Sequence, residues 1–158
     1  MRANRGFTLV ELMVTVAVLA IISSIAFPNM RELIVNGRIT TQTNELISSL
    51  SLARSEAIKR GLDVSVCAAD GTGLASGWFI VAGADCAAAV PRLVRHEALR
   101  DLGVTGDVEA LRFSSRGGLI GGERTLTLTP KVCPAGSERA RQISILGSGR
   151  VAVVRKSC

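Results

Sequence analysis

Four cysteines are the residues in this chain whose number and spacing most directly suggest a chemistry. They are Cys67, Cys86, Cys133 and Cys158. Structural zinc sites usually place paired ligands about two to four residues apart, and no two of these cysteines lie that close together. In an oxidising compartment an even number of cysteines favours disulfide bonds. We therefore expect two disulfides, preferably Cys67 with Cys86 and Cys133 with Cys158, and keep a four-cysteine zinc site as the alternative.

The chain contains little that could catalyse a reaction. His96 is the single histidine and is followed by Glu97, but adjacent side chains on a helix or a strand point in different directions. We expect His96 to be a solvated surface residue. Ser114-Ser115 lacks the Gly-x-Ser-x-Gly context of a nucleophile elbow, and no glycine-rich segment continues into the Lys-Ser or Lys-Thr of a phosphate-binding loop. The sequence therefore predicts no catalytic residue, no cofactor and, if the cysteines are bridged, no metal.

Positive charge accumulates near the C-terminal end of the chain. After Glu138 there is no further acidic side chain, and five cations follow: Arg139, Arg141, Arg150, Arg155 and Lys156. If residues 141–146 and 150–155 form a hairpin, Arg141 and Arg155 become cross-strand neighbours and Arg150 lies at the turn. Double-stranded DNA, bound through its phosphates, is one candidate partner for such a surface. A solvated basic edge that discourages strand-to-strand aggregation is the alternative.

The first element that must position these groups is an apolar run at residues 7–28. Its only non-apolar residues are Thr8, Glu11, Thr15, Ser23, Ser24 and the closing Pro28. About 20 residues of helix cross a bilayer, so we expect a transmembrane helix here. Arg2 and Arg5 precede it, which places the rest of the chain outside the cytoplasm. The alternative, a secretory signal peptide, has a shorter apolar core and ends in small residues.

Residues 29–61 keep helical spacing after Pro28. Apolar or small residues recur every three or four positions and form one stripe, namely Ile39, Thr43, Leu46, Leu50, Ala53 and Ala57. Gly61, directly after Lys59 and Arg60, is a typical helix stop. Pro28 and Gly37 are expected to bend or loosen the helix. We expect the stripe to pack on a globular head.

Residues 62–158 change to short runs typical of strands, separated by glycines. The runs are LDVSVCA, GWFIVAG, LRFSS, RTLTLTP, RQISILG and RVAVVR. Residues 64–67, 125–129 and 142–146 alternate, so each is expected to bury one face. Gly147-Ser148-Gly149 is expected to join the last two runs as a hairpin, and Trp78 to lie in the core. The prediction is an α+β fold: a long N-terminal transmembrane helix packed on a mostly antiparallel β head with two disulfides.

The segment Gly6-Phe7-Thr8-Leu9-Val10-Glu11, behind a basic leader, resembles the processing site of type IV pilins and pseudopilins. The resemblance implies that prepilin peptidase removes residues 1–6 by cutting after Gly6, and that the new amine of Phe7 is methylated. It also implies that Glu11 pairs with the N-terminal amine of a neighbouring subunit. A lone carboxylate in hydrocarbon costs about 3 kcal/mol, so a mismatched register is penalised. The alternative is a Glu11 that stays hydrated at the interface, which predicts that Glu11→Ala still assembles.

Four further segments resemble the FimT, FimU and GspH group of minor pilins and minor pseudopilins. They are NELISSLSLARSEAIKRG, Gly77-Trp78-Phe79-Ile80-Val81, Phe113-Ser114-Ser115-Arg116-Gly117 and Gly149-Arg150-Val151. This implies a non-catalytic minor pilin with other minor pilins and the major pilin as partners. It would be single-pass in the inner membrane with a periplasmic head, and would prime or cap a type IV pilus, in the filament or at its tip.

The same resemblance leaves two other roles open. One is a GspH-type minor pseudopilin of type II secretion. The other is a pilus-tip receptor that binds double-stranded DNA for natural transformation. Some FimT-type minor pilins use a Gly-Arg-x-Arg motif for that purpose, whereas this chain has Gly149-Arg150-Val151-Ala152. Because the second arginine is missing, Arg155 or Lys156 would have to replace it.

Overall fold

The computed structural model describes residues 7–86, 91–106 and 108–158, apart from the side chains of five helical residues. Those five are Ile25, Pro28, Asn29, Arg31 and Glu32. The chain divides into two compact units, Met1–Gly37 and Arg38–Cys158. The predicted leader, residues 1–6, lies outside the described residues.

One α-helix, α1, runs from Leu9 to Arg60 and includes both helical segments predicted from the sequence. It ends where the glycine stop was expected. Gly61 takes the left-handed conformation (φ +66°), and its amide donates to the carbonyl of Ala57 at 3.0 Å. A glycine in this conformation closes the last turn without the steric cost that a Cβ atom would bring.

In the part of the head that the structure describes, nine strands form two antiparallel sheets, with a short 3₁₀ turn at Leu74–Ser76. The strands are β1 (Val64–Ala68), β2 (Trp78–Ala82), β3 (Arg92–His96), β4 (Leu102–Thr105), β5 (Ala110–Phe113), β6 (Leu119–Ile120), β7 (Arg124–Pro130), β8 (Ala140–Ile145) and β9 (Val151–Lys156). The first sheet has the order β3-β2-β1-β5-β6 and the second the order β4-β7-β8-β9. The predicted α+β class and antiparallel head are therefore confirmed. β3, β4 and β6 were not among the runs identified from the sequence.

The apolar stripe on the head portion of α1 forms the core, as predicted. Leu46, Leu50 and Ala53 are almost completely buried and belong to one cluster with side chains from both sheets. The second sheet contributes alternate residues, such as Leu126 and Ile143. Burying an aliphatic side chain of this size contributes about 1.5–3 kcal/mol. The helix stripe and the inward residues of the strands therefore hold the head together.

The expectation of one buried face at residues 64–67 was wrong. All residues of β1 are buried, because β1 is an inner strand and its second face is covered by a smaller cluster. That cluster contains Cys67, Phe79 and Val81, with Cys86 packed against it. The guanidinium of Arg92 lies 4.2 Å from the centre of the Phe79 ring. Cys86 therefore helps to cover the outer face of the first sheet.

Two turns meet beside α1 and connect the sheets. The β5–β6 turn and the β8–β9 turn are joined by a bond from the amide of Leu119 to the carbonyl of Gly147 at 2.9 Å. Gly149 has φ +77°, and a Cβ atom there would lie 1.9 Å from the carbonyl oxygen of Gly117. The predicted hairpin turn is thus confirmed, and glycine is required in it because the two backbones touch.

Candidate functional site

The start of α1 carries the residues predicted for processing and assembly. Gly6 lies outside the described residues, while Phe7 is exposed just before the helix. The hydroxyl oxygen of Thr8 accepts a bond from the amide of Glu11 at 3.2 Å, and the Thr8 carbonyl accepts from the amide of Leu12. Threonine followed three residues later by glutamate is the pattern of a capping box. The Glu11 carboxylate also interacts favourably with the positive end of the helix dipole.

Sequence reasoning treated Glu11 as a partner for another chain or as a hydrated carboxylate at the interface, and missed this local role. The Thr-x-x-Glu pattern was visible in the sequence and could have revealed it. The cap fixes the backbone of the first turn, so the carboxylate of Glu11 is presented from an ordered position.

Most of the side chains that the structure describes in the first unit are exposed. Leu9 is 74% exposed, Leu19 61% and Phe27 68%. Within the described part of the chain, no helix combines the length and the hydropathy needed to cross a bilayer. The transmembrane assignment of residues 7–28 stays a prediction. A helix surface that is apolar on all sides is normally covered by other apolar groups in its functional state.

Both preferred disulfides are present. Cys67 and Cys86 have their Cα atoms 5.7 Å apart, and Cys133 and Cys158 have theirs 5.6 Å apart. The first bridge joins Cys86 to β1. The second joins the segment before β8 to the segment after β9. Among the described residues no cluster of side chains could hold a metal ion.

The predicted basic hairpin forms, but its cations do not make one surface. Arg141 and Arg155 are cross-strand partners, as expected. The Arg141 guanidinium donates to the carbonyls of Glu138, Arg139 and Ala140 at 3.0–3.2 Å. Burial, followed by the charge of Arg155, lowers the pKa of Arg141. The Arg141 guanidinium is therefore hydrogen-bonded to the backbone of the three residues that precede it.

Arg150 lies at the opposite end of the hairpin from Arg155 and Lys156. It follows the turn and lines a hollow next to Arg54 of α1. The cations predicted as a possible DNA site are thus split. Arg139, Arg141, Arg155 and Lys156 lie at the open end, and Arg150 lies at the turn.

The histidine is not the solvated residue that was expected. His96 is half-buried on β3, and its ring stacks on that of Trp78, with centroids 5.0 Å apart and planes at 20°. Trp78 itself is fully buried, as predicted. The Glu97 carboxylate pairs with Arg100 at 3.1 Å. His96 and Glu97 therefore have separate partners and do not form an acid–base pair.

Ser114 likewise has a structural partner. Its hydroxyl oxygen accepts a bond from the amide of Gly118 at 3.2 Å, inside the β5–β6 turn. The hydroxyl therefore helps to close the turn.

Comparisons with known proteins agree with this geometry. A family model described as type II transport protein GspH matches residues 42–149, and one for the prokaryotic N-terminal methylation motif matches residues 1–27. Two curated fimbrial proteins of Pseudomonas aeruginosa are 36% identical over 64 residues, 40% of this chain. The matched segment spans 41% of the length of each relative.

Two crystal structures of the type IV minor pilin FimU from Pseudomonas aeruginosa PAO1 have a similar fold. One has a TM-score of 0.63 at 24% identity and covers 75% of this chain and 89% of FimU. The other has a TM-score of 0.59 at 26% identity and covers 73% and 91%. The family model spans most of the head, and the methylation motif covers the segment before and at the start of α1. The chain therefore belongs to the GspH family of minor pilins and minor pseudopilins.

Proposed function

We propose that this protein is a minor pilin, a non-catalytic subunit that primes or caps the assembly of a type IV pilus. The observation that carries the proposal is the exposed apolar surface of the first unit, which bears Glu11 near its start. Such a surface suits a helix that is stored in a bilayer and then packs among the same helices of other subunits. The FimU-like fold of the head supports the pilus role.

Assembly then depends on processing at the start of the chain. Prepilin peptidase cuts after Gly6, and the new N-terminal amine of Phe7 is methylated. In the filament this amine neutralises Glu11 of a neighbouring subunit. Removing one partner of a buried charge pair costs about 3–5 kcal/mol. The capped first turn supports the idea because it holds Glu11 in place before the neighbour arrives.

The location proposed is the inner membrane, with the head in the periplasm. Arg2 and Arg5 before the apolar run support this orientation. The two disulfides support an oxidising surrounding for the head. The partners would be the other minor pilins, the major pilin and prepilin peptidase.

The proposal is tested by the amount of protein that co-purifies with sheared pili. Wild-type protein is expected in the sheared fraction, whereas Glu11→Ala is expected in the membrane alone. Thr15→Ala is the matched control, since its hydroxyl only donates to the Leu12 carbonyl of its own helix. Normal recovery of Glu11→Ala would favour the hydrated-carboxylate alternative. Gly6→Leu should leave an uncut precursor, and a normal-length product from it would contradict the cleavage site.

A minor pseudopilin of type II secretion is the second candidate, and the description of the matching family favours it. The two roles differ in which machine fails when the protein is deleted. Loss of piliation or twitching with normal exoprotein release supports the minor pilin. The reverse result supports the pseudopilin.

DNA binding is the third candidate, and the exposed Arg150, Arg155 and Lys156 are the observation in its favour. If these side chains contact phosphates, affinity for duplex DNA falls steeply with salt. It should also fall in the Arg150→Ala plus Arg155→Ala variant. Salt-insensitive binding that survives both substitutions would contradict phosphate contacts.

A further inference from the structure

Two arginines from distant parts of the chain meet at a hollow beside the end of α1. The hollow has a volume of about 360 Å³. Arg54 and Arg150 supply its charge, Ser51 and Ser55 its hydroxyl groups, and Ile58 and Val151 its apolar wall. No carboxylate lines it among the residues that the structure describes.

The surrounding turns fix one of these arginines. The Nε–H of Arg54 donates to the carbonyl of Gly117 at 3.1 Å. A Cβ atom on Gly149 would lie 3.1 Å from this Nε atom, and one on Gly117 would lie 2.7 Å from Ile58. Both turns can therefore close on the Arg54 side chain only because they carry glycine there.

In this arrangement N–H groups of both arginines have no negatively charged partner among the described residues. Within the described residues the structure records no partner for the two terminal nitrogens of Arg54, nor for the guanidinium of Arg150. Two guanidiniums repel each other unless an anion lies nearby, and a planar carboxylate matches their paired N–H groups. The hollow is thus prepared for an anionic group.

We propose that the hollow binds an acidic side chain, glutamate or aspartate, from a neighbouring subunit. The inference rests on the proposed function, because it requires a filament neighbour. The apolar wall decides between possible anions. Ile58 is 52% exposed and, with Val151, offers a surface for the methylene groups that carry a carboxylate. In duplex DNA each phosphate is joined to deoxyribose rings and not to a flexible methylene chain, so it fits that wall less well.

The test compares pilus incorporation of charge variants of the full-length protein in cells. Arg150→Glu is expected to lower the fraction recovered with sheared pili about tenfold, which corresponds to ~1.4 kcal/mol. Arg54→Gln should also lower it, since glutamine keeps a donor for Gly117 but loses the charge. Arg95→Glu is the matched control: Arg95 is exposed on β3, and recovery should stay within about twofold, a difference below ~0.5 kcal/mol.

Three further readouts separate the outcomes. Intact disulfides and an unchanged thermal midpoint show that each variant is folded. Acid-to-lysine substitutions in the other pilins should include one that restores recovery of Arg150→Glu, and that rescue would identify the partner carboxylate. Fluorescence anisotropy with a short DNA duplex tests the phosphate alternative.

Each result has one meaning. If Arg150→Glu and Arg54→Gln enter pili like wild type, the inference is overturned while the proposed function stands. If the two variants enter pili like wild type but bind the DNA duplex less tightly than wild type does, the hollow is a phosphate site and the inference is likewise overturned. If the wild-type protein is absent from pili and from secretion filaments, the proposed function itself fails.

Discussion

Gly149→Ala tests whether the two turns are packed as closely as the structure shows. The new Cβ atom would lie 1.9 Å from the Gly117 carbonyl oxygen, so one backbone has to move. A left-handed conformation costs a non-glycine residue about 1–2 kcal/mol, and forcing extra atoms into a packed region costs about 1–3 kcal/mol. Together these effects predict that Gly149→Ala lowers the free energy of unfolding by about 3 kcal/mol.

Substitutions at two other glycines separate the cost of the left-handed backbone conformation from the cost of the steric clash. Gly122 has φ +82°, and no atom lies within 4 Å of the position that a Cβ atom would take there, so Gly122→Ala should cost only the backbone preference, about 1 kcal/mol. Gly147 lies in the same turn as Gly149, has open space for a Cβ atom and needs no left-handed conformation. Gly147→Ala should therefore leave the stability within about 0.5 kcal/mol of wild type.

Urea unfolding of the full chain in detergent, followed by tryptophan fluorescence, measures these differences. Trp78 is the single tryptophan and is fully buried in the head, so its emission reports on the core. Equal losses for Gly149→Ala and Gly122→Ala would mean that the turns do not touch, and the reasoning about Arg54 would lose its support.

Three more predictions concern the bridge, a loop and the helix start. Replacing Cys133 and Cys158 by serine should lower the free energy of unfolding by about 3 kcal/mol, as measured by urea titration under non-reducing conditions. Bonds from the Ser76 hydroxyl and then from the Thr72 amide hold the pKa of Asp70 well below its usual range. The resulting stability is therefore present above the ordinary aspartate pKa and is lost as pH falls; Ser76→Ala should raise this pKa in an NMR titration. Thr8→Ala should reduce the hydrogen-exchange protection of the first turn of α1, because the cap is lost.

The sequence predicted elements that repeat a strong local pattern. The stripe from Leu46 to Ala57 has helical spacing over several turns, and Gly61 supplies a conformation that other residues adopt only at a cost. The disulfide pairing followed from local spacing. In each case the deciding information lies within a short stretch of chain.

The missed elements depend on partners far away in the sequence. β3 contains Arg92, Arg95 and His96, so it looks like a charged loop, yet it pairs with β2 at the edge of the first sheet. Arg92 and Arg95 are exposed at that edge, where charged side chains are tolerated. The stacking of His96 on Trp78 follows from this pairing. This contact could not be predicted without knowing that β2 and β3 pair with Trp78 opposite His96.

The hollow at Arg54 could not be predicted either, because it too depends on residues that are far apart in the sequence. Its two arginines come from α1 and from the β8–β9 turn, and only the contact between two glycine-containing turns brings them together. For the basic hairpin, the sequence predicted that Arg141 faces Arg155 and that Arg150 lies at the turn, and the strand pairing confirms both positions. The grouping of all five cations into one candidate DNA site was less apt, because Arg150 lies at the opposite end of the hairpin from Arg155 and Lys156.

The bridge between Cys133 and Cys158 encloses the whole β8–β9 hairpin in a covalent loop. Tension applied at the outer end of β9 would pass through the sulfur atoms into the segment before β8, bypassing the hydrogen bonds between the two strands. An edge strand secured in this way resists unzipping by traction. In the proposed minor pilin, this property would suit a subunit of a filament that is under tension.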